Sequence, residues 1–329
     1  MKKYIILTLR FIISGAILSY LFYKIPIYEI IKSLENADIL LIILSILICI
    51  PIAYLSALET GYLTRAMGII ISTFQILKIQ MTTRFYGLFL PGTLSGGAIK
   101  WYKLSKYGSK PDAAAVVFLN RFLEILMLFY YGIIFSLPAL IKAKQNQLVL
   151  IWLFIFLIII VSYFLLLNSR FLTFFERKIL FIPFPELIKN IIPKLFKSIQ
   201  KFQELTLKDN FQIFGLLFFY HFLGIIAAYL LALSLGIDIT FFDIAWIGSV
   251  MGILAILPIS FAGLGVREGS LVFLLGNYGI PPGDAVAYSF LLFFYTALVS
   301  LSGGFMELSD FLSGRRVIKN ELIRKKVPD

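Results

Sequence analysis

The sequence predicts an all-α, polytopic bundle of membrane helices, and three observations carry that prediction. Of its 329 residues 60% are hydrophobic and 15% charged, with a mean hydropathy of +0.93, outside the usual balance of water-soluble domains. Several apolar runs reach the roughly 20 residues with which a helix rising about 1.5 Å per residue crosses a hydrocarbon core of about 30 Å. Any one run could be a buried core helix, but too little polar chain remains to cover a core built from all of them. Residues 1–329 are therefore expected to form a single integral membrane domain.

Six long apolar segments stand out, at 4–23, 39–58, 113–139, 148–167, 211–235 and 285–307. The first follows Lys2 and Lys3 and has the charge and apolarity of a signal peptide. Its length, and the lack of a clear small-residue cleavage site after it, favour a retained span. Two further apolar regions, 79–99 and 244–280, are broken by Pro and several Gly near their middles, which makes them re-entrant or broken helices.

Charge sets an expected orientation. The stretch 100–112 holds four Lys and one Asp, 168–210 has a net charge of +4, and so has 315–329. All three fall on the cytoplasmic side if each broken region returns to the side it entered, as basic loops do. The opposite loops, 24–38 and 236–243, are poorer in Lys and Arg; Lys142 and Lys144 are the exception. They keep eight spans open as the rival, with the second broken region crossing twice. The net charge of +12 thus belongs to loops beside anionic lipid rather than to a nucleic-acid surface. Within 168–210, apolar residues recur at helical spacing among Lys189, Lys194, Lys197 and Lys201, the pattern of an amphipathic interfacial helix that Pro193 could split. A basic tail is expected over 308–329.

The broken regions share a frame. Leu90-Pro91-Gly92-Thr93-Leu94-Ser95-Gly96-Gly97-Ala98-Ile99-Lys100 and Leu257-Pro258-Ile259-Ser260-Phe261-Ala262-Gly263-Leu264-Gly265-Val266-Arg267 both place Gly five residues after the Pro and a basic residue nine after it. Each motif follows two full spans and precedes one, which gives pseudo-repeats 1–141 and 148–307. Three spans per half is an odd number, so the second half enters the membrane from the opposite side, the inverted 3+3 arrangement of many transporters. Pro91 and Pro258 break their helices, while Gly92, Gly96, Gly97, Gly263 and Gly265 admit close backbone approach. The N–H groups of a following half-helix can then face a phosphate. Lys100 and Arg267 supply counter-charge on this reading; interfacial snorkelling is the plainer one. Glu268 follows Arg267 directly.

Other charges interrupt apolar runs. Arg121 and Glu124 stand three apart on one helical face, about 12 Å into their span, either as a structural ion pair or with Arg121 on a headgroup. Arg84, just before the first motif, is a weaker candidate of the same kind. His221, the sole histidine, is read as an interhelical donor or as a proton relay. Cys49 is the lone cysteine, which excludes an intramolecular disulfide or thiolate cluster. The sequence holds no P-loop, no His pair with metal spacing, no GxSxG and no dinucleotide fingerprint. No metal or cofactor is expected.

With these residues in view, the chain resembles the flippase-like transmembrane family named for the membrane region of lysylphosphatidylglycerol synthase. Gly263-Leu264-Gly265-Val266-Arg267-Glu268-Gly269 looks like its second-half signature; Pro91-Gly92, Gly96-Gly97 and Arg121 look like its first. Ala98 departs from the resemblance, standing where the family pattern has an acidic residue. The resemblance implies movement of an aminoacylated phospholipid or a polyisoprenoid-linked lipid between leaflets of the cytoplasmic (inner) membrane. Its implied partners are anionic phospholipid or polyprenyl-phosphate lipids and, as a candidate, a separate lipid-modifying enzyme. The soluble aminoacyl-transfer domain of the two-part synthases is missing, so lysyl transfer is not expected and the chain is read as a transporter rather than an enzyme. The rival readings are an integral-membrane lipid or polyprenyl-phosphate transferase, with Arg121, Glu124, Arg267 and Glu268 as its polar site, and a non-catalytic membrane scaffold.

The charge pattern makes one prediction directly. Single cysteines placed near Lys106 and Lys325 should be protected from a membrane-impermeant thiol reagent added outside intact cells; labelling at Lys325 would overturn the orientation.

Overall fold

Every regular element among the described residues of the computed structural model is helical; these are residues 14–89, 94–142, 146–182, 186–256 and 265–324. In chain order the helices are α1 (helical at 14–24), α2 (Ile27–Glu35), α3 (Ile39–Ala66), α4 (Thr73–Phe89), α5 (Leu94–Leu104), α6 (Lys110–Lys142) and α7 (Asn146–Leu166). Then come α8 (Ser169–Leu180), α9 (Glu186–Gln200), a 3-10 turn (Lys201–Glu204), α10 (Leu207–Ser234), α11 (Phe241–Ile256), α12 (Val266–Gly276) and α13 (Pro282–Arg324).

Local chemistry sets several starts. The Asp38 carboxylate accepts from the Leu40 N–H at 2.8 Å and caps α3, and a reciprocal Thr206/Asp209 box opens α10, satisfying N–H groups that have no partner inside their helix. Among the described residues, four helical stretches are long and apolar enough to cross a membrane: Ile39–Ala66, Lys110–Leu137, Leu207–Ser234 and Pro282–Ser309. They answer to four of the six expected spans. The expected span at 148–167 is α7, which turns by 96° into α8, so the pair reads as a broken span or a re-entrant loop. The expected span at 4–23 lies partly outside the described residues. On α7, Phe154, Leu157, Ile158, Val161 and Phe164 are all exposed, an apolar surface suited to hydrocarbon rather than water.

Both regions expected to be broken are so. The first divides into α4 and α5 and the second into α11 and α12; Pro91, Gly92, Pro258 and Gly263 themselves lie outside the described residues. The first folds back on itself: a Cβ on Gly96 would lie 3.4 Å from the Thr83 side chain, thirteen residues earlier. A straight helix would hold those positions about 20 Å apart.

Other boundaries differ from expectation. Helix α3 runs on past residue 58 to Ala66, and α13 continues to Arg324 through most of the expected tail, because hydropathy marks the apolar part of a helix and not its hydrogen-bonded end. The basic segment forms two helices, and Pro193 sits inside α9 without splitting it. Ile192, Phe196 and Ile199 of α9 are buried in one core with Leu119 and Leu123 of α6, while Lys189, Lys194 and Lys197 are exposed. The apolar stripe thus packs on protein. Lys201 fastens this region, donating to Asp112 at 2.6 Å and to the Met67 carbonyl at 3.3 Å.

Three pairings organise the bundle. Helix α3 lies along α10, where Ser45 donates to the Ala227 carbonyl at 3.0 Å. Helix α4 packs on α13, and α11 on α6. Around these, α5 leans on α4 and α6, α12 on α13, α9 on α6 and α2 on α13. The α4–α13 crossing depends on the absence of a side chain at Gly303, where a Cβ would overlap the Met81 carbonyl oxygen. Gly303→Val should therefore lower thermal stability in detergent sharply. Gly215→Ala, where a Cβ meets nothing within 4 Å, should be neutral or stabilising by up to about 1 kcal/mol; equal melting temperatures for the two variants would contradict the packing.

Candidate functional site

Four helices converge on a buried polar network next to the first broken element. Ser56, Glu59 and Thr60 share one face of α3 by their three- and four-residue spacing, as Gln80, Thr83 and Arg84 do on α4. Helix α5 brings Lys100, and α6 brings Asn120. Small residues let α5 enter: a Cβ on Gly97 would touch Val117 of α6 at 3.6 Å, as one on Gly96 would touch Thr83 of α4.

The Lys100 ammonium donates to Asn120 Oδ1 at 2.6 Å and to Thr60 Oγ1 at 3.3 Å. Asn120 Nδ2 passes the connection to Glu59 Oε2 at 2.8 Å, and the Thr60 hydroxyl donates to the same oxygen at 3.0 Å. Gln80 Nε2 donates to Thr60 Oγ1 at 2.8 Å and to the Ser56 carbonyl at 3.0 Å. Glu59 is 1% exposed and Lys100 7%. Desolvating each ion costs several kcal/mol, so opposite charges joined by polar bridges are the arrangement such depth requires.

Beside Asn120 on α6, Arg121 pairs with Glu124 at 3.2 Å while its side chain stays about half exposed. Glu124 is close enough to act electrostatically on Glu59, Lys100 and His221, and Arg84 acts on Lys100. Among the described residues this neighbourhood holds three basic groups, Arg84, Lys100 and Arg121, against two acidic ones, Glu59 and Glu124. His221 contacts the rings of Tyr131 and Tyr220, and its buried Nε2 has no hydrogen-bond partner. The expected interhelical donation is not made by that nitrogen.

The second cluster sits at the start of α12. Gly265 adopts φ +82°, open to glycine and strained for other residues, and a Cβ there would press on Ile17 and the Ser14 carbonyl of α1 at 3.1 Å. The Gly265 N–H donates to Glu268 Oε2 at 2.6 Å. The other carboxylate oxygen, Oε1, accepts from Arg267 Nη2 at 2.5 Å, from Arg267 Nε at 3.1 Å and from the Ser289 hydroxyl at 3.1 Å. Arg267 Nε also reaches Ser289 Oγ at 2.9 Å, and the guanidinium lies 5.1 Å from the centre of the Phe293 ring. Glu268 is 1% exposed. The carboxylate thus joins the Arg267 cation to the Gly265 N–H at the start of α12 and to α13.

Residues 7–303 match the family described as the lysylphosphatidylglycerol synthase TM region. The chain belongs to this family. No curated protein and no solved structure matches the chain. Membership in the lysylphosphatidylglycerol synthase TM region family, with the membrane-length helices, makes this a multi-pass membrane protein of lipid-related function.

The sequence singles out Lys100, Arg121 with Glu124, and Arg267 with Glu268, and the structure gives each of them a partner. Sequence reasoning misses Glu59, Thr60, Gln80 and Ser289. Glu59 lies one residue past the apolar run 39–58, where a hydropathy count stops; its helical spacing from Ser56 is the available signal. Gln80 and Thr60 carry no charge, and only packing reveals that they belong with Lys100. Removing one partner of a buried ion pair typically costs about 3–5 kcal/mol. Glu268→Ala should therefore lower the unfolding midpoint in detergent well beyond the effect of Ser289→Ala. An unchanged midpoint would show that Arg267 needs no such partner.

Proposed function

We propose that this chain moves a lipid with an anionic headgroup, a phospholipid or a polyprenyl-phosphate type, between the leaflets of the cytoplasmic membrane, and that it catalyses no covalent reaction of its own. The observation that carries the reading is the surplus of basic over acidic groups around the network of α3, α4, α5 and α6. Charges at that depth are expensive and mark a pathway or a wet cavity in membrane proteins. An anionic headgroup offsets the surplus, with Arg84 and Arg121 as its contacts from the first half and Arg267 from the second. Glu124 and Glu268 orient the two arginines Arg121 and Arg267.

The helix pairings support an inverted repeat. Exchanging α3, α4, α5 and α6 with α10, α11, α12 and α13 turns the α4–α13 pairing into the α11–α6 pairing and leaves the α3–α10 pairing unchanged. With α2 exchanged for α9 as well, the operation also relates α5 on α6 to α12 on α13, and α2 on α13 to α9 on α6. On this reading the two halves rock about the α3–α10 seam, and each broken helix presents its second segment to the headgroup. Both termini are then cytoplasmic, and a separate enzyme supplies any headgroup modification.

The test is translocation of fluorescent phosphatidylglycerol, phosphatidylcholine and a polyprenyl phosphate in vesicles reconstituted with the purified protein. Arg121→Gln and Arg267→Gln should each slow movement of the anionic lipids at least about tenfold, with melting near normal for the half-exposed Arg121 and lowered for Arg267, whose loss leaves the buried Glu268 without its cation. Full rates for every lipid in both variants would remove the headgroup role. Full transport by a variant in which Arg267 and Glu268 are exchanged for one another would make that pair structural.

A further inference from the structure

The network around Lys100 is incomplete in one respect. Among the described residues, the buried side-chain atoms with no hydrogen-bond partner are Glu59 Oε1, Gln80 Oε1, Thr83 Oγ1 and His221 Nε2. Two of these, the carboxylate and carboxamide oxygens, are pure acceptors in a single cluster, linked through Thr60. An acceptor left bare in a buried site costs about 1–3 kcal/mol, and more when it is charged. The same site has already engaged its other oxygens: Asn120 Oδ1 and Thr60 Oγ1 accept from Lys100, and Thr60 also accepts from Gln80.

We infer that Glu59 is a proton-binding site, loaded at Oε1, whose occupancy is linked to that of the anionic headgroup. A proton taken from water forms one O–H bond at Oε1 and turns a bare acceptor into a donor, with the Gln80 carboxamide oxygen as an acceptor in the same cluster. A metal cation fits less well, since two free oxygens fall short of the six or more that hard cations collect, and Lys100 repels a second fixed positive charge. The groups that bear on this network are Lys100 from α5, Glu124 and Arg121 from α6, Arg84 from α4, and Tyr220 and His221 from α10. With Glu59 charged, this set has one basic group in excess; protonation makes the excess two. A bound anion therefore favours the proton, and by linkage the proton favours the anion.

The inference rests on the lipid reading for its linkage but not for the proton site. The full-length protein is placed in nanodiscs of phosphatidylcholine, with or without phosphatidylglycerol, and its carboxylic-acid carbonyl bands are followed by infrared difference spectroscopy against pH. One band should titrate in the wild type, vanish in Glu59→Gln and persist at a shifted frequency in Glu59→Asp, which also reports that the site folds. Phosphatidylglycerol should raise the proton affinity read from that band by about tenfold. Identical spectra for wild type and Glu59→Gln would overturn the proton site, and so would loss of the band when sodium replaces potassium. A Glu59 band indifferent to phosphatidylglycerol would overturn the linkage. A Glu59 band that titrates in a protein unable to move any lipid would refute the transport reading and uphold the proton site.

Discussion

The cost of burying charge away from water is the constraint on which the rest of the structure depends. An isolated ammonium or carboxylate at depth loses several kcal/mol of hydration, so Lys100 and Glu59 persist only because Asn120 and Thr60 connect them. Those four residues come from α3, α5 and α6, and their geometry requires all three helices to meet. The break between α4 and α5 lets the chain turn back and deliver Lys100 to that meeting point. The small residues Gly96 and Gly97 leave room for the approach.

The second half solves the same problem with fewer parts. Glu268 receives Arg267, Ser289 and the Gly265 N–H, so the carboxylate is met by a cation, a hydroxyl and a helix N-terminus at once. The dipole of α12 favours a negative charge at that end. One cluster is distributed over several helices and the other is centred on one helix start, although the two motifs share the same spacing of Pro, Gly and basic residue.

Apolar run length was enough to locate four of the membrane-length helices, and Pro with Gly located both breaks. Arg121 with Glu124 and Arg267 with Glu268 followed from their proximity in the chain. What was not legible depends on contacts between distant segments: Lys100 joined to Glu59, Gln80 with Thr60, and Gly303 with the Met81 carbonyl. Helix ends were equally hidden where amphipathic or basic residues continue a helix beyond its apolar part, as at the ends of α3 and α13. The amphipathic stripe of α9 predicted a partner of low polarity, and that partner is the core around α6 rather than lipid alone.

An anionic lipid headgroup is proposed to match the basic surplus at this site. Native mass spectrometry of the gently extracted protein tests it most directly. The wild type should retain an anionic lipid that is lost from the Arg84→Gln, Arg121→Gln double variant while neutral phospholipid binding is unchanged. Retention of the same lipid by both proteins, or retention of neutral lipid alone by the wild type, would contradict it.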